Sequence, residues 1–226
     1  MSPGFSEPRP TGPSAPAVSC RPPSPPTRLA VVVSGNRCGH DPACPRWFAP
    51  PPAHAARPKI LTRLQAAVRA YFADPTVLPS LNAANGSPRQ QRSERREGCL
   101  ALLGALVHYL DLVTLRVGIP QDDGTFQGLS LDFLAEKAGL GRRRAERACR
   151  DLVRAGLLKV YPLAQRLDDE RYKGLPAIRR LPAALFQVFG LGKWLQHERD
   201  KAAQRRRRQR RRQEAATAAA DAGRRE

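Results

Sequence analysis

Apolar positions recur at helical spacing over Lys59–Phe72. Ile60, Leu61, Leu64, Val68 and Phe72 share one face, with Lys59, Arg63 and Arg69 among the rest. Pro75 ends this first helix, and Asn82-Ala-Ala-Asn-Gly-Ser87 is turn chemistry. A second helix is expected from about Arg89 to Leu115. Its first turns carry Arg92, Glu94, Arg95, Arg96 and Glu97, and its later part is apolar nearly all round, as in the central packed helix of a small domain. Gly118-Ile-Pro120 is expected to stop it, and Gln121 to Gly128 reads as a polar loop.

From Ser130 the pattern sharpens. Ser130 suits an N-cap for a short helix with Leu131, Leu134 and Ala138 as apolar positions. Gly139 supplies a left-handed turn residue, Leu140 can plug the core, and a further helix runs from Arg142 to a stop at Gly156. Helix, glycine turn, helix over this length is the helix-turn-helix pattern. With Arg143 at zero and 100° per residue, Arg147, Arg150 and Arg154 fall at about 40°, 340° and 20°. Ala145, Ala148, Cys149 and Leu152 fall opposite. One face packs; the other is an arginine row. Planar guanidinium forks suit phosphates and guanine edges, whereas the alternative is an ordinary solvated basic face.

After Gly156 the period becomes extended. Leu157 to Ala164 and Leu175 to Leu181 read as two strands around a charged tip, Arg166 to Gly174. The fold class expected is therefore mainly α: a winged helix-turn-helix with a small β-hairpin wing. Arg166, Arg171 and Lys173 are wing contacts or solvated loop charge, and Asp168, Asp169 and Glu170 between them would repel phosphate. Leu185, Phe186 and Phe189 close the domain, and Trp194 and Leu195 are expected to pack. Arg142 and Arg144 flank the stripe and join it as candidate DNA contacts.

Charge changes the picture at the two ends. The 226 residues hold 39 Lys and Arg against 20 Asp and Glu, a net charge of +19, which points to a polyanion partner. Residues 193–226 contribute +7 of it, chiefly through Arg205, Arg206, Arg207, Arg208, Arg210, Arg211 and Arg212. Such a run repels itself as an isolated helix, so a basic tail, helical or disordered, is expected to be mobile until a polyanion neutralises it. It adds affinity without sequence choice. Residues 1–57 are rich in Pro, Ala and Ser and read as a disordered extension; 58–192 is the DNA-binding domain. Cys38, His40, Cys44 and His54 are spaced Cys-x-His-x3-Cys-x9-His, which fits no common zinc hook, so no metal or other cofactor is expected.

Other classes recede. Cys99 to Val117 is interrupted by His108, Asp111 and Arg116, so no membrane span is expected, and Met1 to Glu7 has no signal-peptide texture. Five scattered cysteines make no disulfide framework, consistent with a reducing cytoplasm. Gly190-Leu-Gly-Lys-Trp lacks the spacing and hydroxyl of a phosphate-binding loop, and His40, His54, His108 and His197 form no His-x-His pair. Cys99 and Cys149 sit on apolar faces as structural thiols. No enzyme is expected.

Three stretches resemble one family. Arg57-Pro-Lys-Ile-Leu-Thr-Arg-Leu64, Ala105-Leu-Val-His-Tyr-Leu-Asp111 and Ile178-Arg-Arg-Leu-Pro-Ala-Ala-Leu-Phe186 are similar to segments of the RepA replication initiators of FII-type plasmids. The order is the same and the likeness covers roughly residues 57–212. It implies a bacterial, DNA-associated protein that binds duplex DNA at a plasmid origin and helps assemble host initiator or helicase-loading proteins. On the same resemblance Arg143, Arg147, Arg150 and Arg154 face DNA. The chain departs from the family in its proline-rich start, its shorter C-terminal region and its tight inter-helix turn. A winged-helix transcription regulator and a non-specific nucleic-acid-coating protein are the alternative expectations.

Overall fold

The apolar run that follows Glu97 organises everything else. In a computed structural model, which describes residues 40–52, 57–121, 125–166 and 172–222, it forms helix α4 (Ser93–His108), buried without a break from Glu97 to His108. A helix with no polar face has to be covered all round. Helices α1 (Lys59–Val68), α2 (Ala70–Ala73), α5 (Leu131–Lys137) and α6 (Arg142–Arg154) all pack on it, while α3 (Pro79–Ala83) reaches α6. Of the predicted first-helix face, Ile60, Leu61, Leu64 and Val68 are buried, but α1 ends at Val68, and Phe72 falls on α2 and is only half-buried while Tyr71 takes the inside position.

The described residues are mainly α with one small antiparallel sheet. Its strands are β1 (Arg116–Pro120), β2 (Phe126–Gly128), β3 (Lys159–Arg166) and β4 (Tyr172–Arg180), in the spatial order β2-β1-β4-β3. Helix α7 (Ala183–Val188) buries Leu185 and Phe186, and Phe189 packs partly against the core. Helix α8 (Gly192–Ala222) completes the order.

Several expectations need correction. The second helix stops at His108 and not near Leu115, because Asp111 offers the backbone a competing turn. Its carboxylate accepts from the Thr114 N–H at 3.0 Å and the Thr114 hydroxyl at 2.6 Å, and Leu115 takes a left-handed φ of 57°. The chain then returns as β1, with the Gly118 N–H donating to the Tyr109 carbonyl at 3.0 Å. Gly118-Ile-Pro120 is thus strand, and the expected loop contains β2. Gly118 has φ 153°, and a Cβ there would strike the Gln127 carbonyl and the Phe126 ring, so glycine is what lets β2 pair.

Residues 40–52, ahead of the expected boundary, are part of the packed body. His40 to Pro52 lies against α4: Phe48 is buried beside Gly104 and His108, and Trp47 meets the Phe72 ring edge-on at 5.5 Å. His40 links Glu97 (Nδ1 to Oε2, 3.0 Å) and Ser93 (Nε2 to Oγ, 2.8 Å). Aromatic anchors outweigh the proline-rich composition here. Of the spaced Cys and His residues, Cys38 and His54 lie outside the described residues.

The division at residue 193 is no boundary, since α8 is continuous, and the arginine run is helical. Docking explains it: Leu195 is buried, Arg199 Nη2 donates to the Val113 carbonyl at 3.1 Å, and Arg206 Nη2 donates to Asp111 at 2.7 Å. Arg210 and Glu214 add an i,i+4 pair at 3.5 Å. Finally, Leu195 packs but Trp194 is exposed.

Candidate nucleic-acid interface

Helix α6 owes its position to small residues and one buried ion pair. Ala145, Ala148 and Leu152 are buried, and the alanines let its backbone come close to α4. Asp151, 1 % exposed, is the unexpected polar member of that face. It accepts from Arg95 Nε at 2.6 Å and Nη2 at 2.7 Å, a bidentate bridge from α4 to α6. That hydrogen bond also raises the Arg95 pKa. The approach from α5 is fixed by the Ser130 hydroxyl, which accepts from the Phe133 N–H at 3.1 Å, by Gly139 at φ 65° and by buried Leu140.

The opposite face of α6 is the arginine row. Arg143, Arg147, Arg150 and Arg154 are all exposed, and no described carboxylate pairs with any of them. Their two flanking neighbours differ. Arg142 is exposed but shared, donating from Nε to Glu146 at 3.0 Å, with Asp132 at 3.9 Å. The Glu146 bond raises its pKa. Arg144 is turned inward: its Nη2 donates to buried Glu97 at 3.3 Å, and its Nε lies 3.9 Å from Glu94. Glu97 also accepts from the Arg46 N–H at 3.0 Å, so one carboxylate ties residues 40–52, α4 and α6 together.

The β3–β4 hairpin follows α6 directly. Lys173 is exposed and opposes Gln165; Arg166 ends β3 with its side chain outside the described residues, as is all of Arg171. On α8, Arg205, Arg207, Arg208, Arg210, Arg211 and Arg212 are exposed, and Arg206 alone is held against the body by Asp111. Burial alone would raise the Asp111 carboxyl. Its bonds from Thr114 and Arg206 outweigh that and hold it below the usual carboxylate value.

Sequence reasoning missed three cations. Arg116, Arg180 and Lys159 are exposed on β1, β4 and β3, and Arg180 is the cross-strand partner of both others. Their signal was register, which cannot be read until β1 is known to be a strand. It also missed Arg95 and Asp151, because a carboxylate in an arginine-rich helix looks like surface charge.

Other chemistry is sparse. Burial pushes up the thiols of Cys99 and Cys149 and the Tyr71 hydroxyl, leaving all three protonated at neutral pH. Among the described residues no His, Cys, Asp and Glu cluster is placed to hold a metal, and no helix is long and apolar enough to cross a membrane. A cavity of about 360 Å³ opens between α8 and the β1–β2 hairpin. Comparison with protein-family models, with curated proteins and with solved structures gives no match.

Proposed function

We propose that this protein is an origin-binding replication initiator of a plasmid or related mobile element, and that α5, α6 and the β3–β4 hairpin act as a winged helix on duplex DNA. The observation that carries the reading is the α6 face: four exposed arginines without described carboxylate partners, on a helix fixed from behind by Leu152 and the Arg95–Asp151 bridge. A fixed helix can present guanidinium forks in register with guanine O6 and N7 in the major groove. Lys173 on the hairpin and the exposed arginines of α8 then engage phosphates, which adds affinity at every sequence. The resemblance of three stretches, in order, to RepA initiators favours replication over promoter control. Recruitment of host replication proteins belongs to the same reading.

The test is genetic. A minimal replicon carrying the gene and its flanking DNA is expected to be maintained, and to be lost when the gene is deleted. Equal maintenance without the gene overturns the proposal. A change in promoter output with unchanged copy number would favour a regulator. Equal affinity for any duplex or RNA at physiological salt would favour coating.

A further inference from the structure

The outer face of the sheet presents an arrangement that stability alone does not favour. Arg116 on β1 pairs in register with Arg180 on β4, and Arg180 pairs with Lys159 on β3. Side chains directly opposite on one face stand about 5 Å apart, and like charges so placed repel. All three are exposed, and none has a carboxylate partner among the described residues. The adjacent register positions belong to the other face: Val117 is buried, and Arg179 is buried with Nη1 donating to the Leu129 carbonyl at 2.6 Å. That inner face is packed on the core, and the cation ladder lies on the face turned from it.

The ladder continues at both ends. Arg116 lies over the Phe126 ring at 5.9 Å and lines the 360 Å³ cleft together with Thr114, Arg206, Gln209, Arg210 and Gln213. Asp111 and Glu214 partly neutralise Arg206 and Arg210, so the uncompensated charge of this track sits on the sheet. At the other end Tyr161 lies two residues beyond Lys159 on β3, hence on the same face, and is 47 % exposed. Cations in a row beside an open aromatic ring match the way unpaired strands are held, with phosphates on the charges and a base stacked on the ring. Bases in a duplex are already stacked on each other and offer no free face.

We propose that this outer sheet face binds single-stranded DNA, with Arg116, Arg180 and Lys159 on consecutive phosphates and Tyr161 under a base. The inference deepens the initiator reading and rests on it for the source of the strand, an origin opened next to the duplex that α6 holds.

Titrating the full-length protein with a labelled oligothymidylate of about 20 nucleotides, and separately with duplex from the DNA flanking its gene, tests it. The double variant Lys159→Gln/Arg180→Gln is expected to bind the oligothymidylate about ten-fold more weakly, with a salt slope shallower by about 1.4, and to keep duplex binding. Tyr161→Ala is expected to lose about ten-fold, and Tyr161→Phe to retain binding. Arg180→Gln alone is expected to raise Tm at low salt, which shows that the variant folds and that the ladder repels. Wild-type affinity for the oligothymidylate in the double variant and in Tyr161→Ala overturns the inference, as does a parallel loss on duplex. If the wild-type chain ignores the flanking duplex while the oligothymidylate still binds through the ladder, the initiator reading falls and this inference stands.

Discussion

Six arginines on α6 share one side-chain type and divide into three situations. Arg143, Arg147, Arg150 and Arg154 face outward; Arg142 is held by Glu146; Arg144 belongs to the interior through Glu97. Under the proposed reading, Arg147→Ala and Arg150→Ala each reduce discrimination between the preferred and a scrambled duplex by about 1–3 kcal/mol, measured by competition binding, with Tm unchanged. Arg144→Ala is expected to do the reverse, lowering Tm because it strips a charge partner from buried Glu97 while leaving discrimination intact. Ser130→Ala is expected to cost about 1 kcal/mol of stability in urea unfolding through loss of the cap. A second effect is set by acid. Asp111 titrates below its ordinary 3.8 when folded, so its contribution is fully present above that value and fades as pH falls through the folded pKa. Thermal stability is expected to drop in that acid window, and Asp111→Asn to be less stable at neutral pH with a smaller drop. The arginine row and the Ser130 cap were legible in the sequence, since both depend on spacing along one helix. Arg144 was not, because its partner lies 47 residues away and only packing brings them together.

At the scale of elements, local patterns carried α1, α5, α6 and the β3–β4 hairpin, where period and turn residues agree with the final packing. The β1–β2 hairpin was illegible because Tyr109 to Val117 is as apolar as the helix before it. What separates them is a single turn built by Asp111 and Thr114. Residues 40–52 were hidden by their proline content, and their attachment rests on a gap left by glycine. A Cβ at Gly104 would come within 2.7 Å of Phe48 Cβ. In a Trp194→Phe background, Gly104→Ala is expected to displace Phe48 and red-shift the Trp47 emission, with the α4 core retained. Unchanged emission would mean that the segment is held by His40 and Glu97 instead. Helix α8 was legible as a basic element but not as a docked one. Deleting Arg205 to Arg212 removes six exposed arginines and the Asp111 partner. Under the proposed reading this weakens binding to all DNA and flattens the dependence of log K on log salt by about five units, leaving sequence preference unchanged. Altered preference with an intact salt slope would reverse the roles given to α8 and α6.

For the whole molecule, three cationic surfaces stand out from a net charge of +19, each under different constraints. The α6 row is held from behind by Leu152 and the Arg95–Asp151 bridge, which under the proposed reading lets it choose a sequence. The exposed α8 arginines, under the same reading, hold a phosphate backbone at any sequence. The sheet ladder is fixed by strand register and flanked by an aromatic ring, which suits an unpaired strand. The proposed division of labour depends most on the first surface, and footprinting the purified protein on the DNA flanking its gene tests it most directly. The expected result is a set of iterated protected sites on duplex DNA, erased by Arg147→Ala/Arg150→Ala at a concentration where bulk DNA binding persists. Uniform protection without preferred sites, or a preferred pattern unaltered by that double variant, would contradict it.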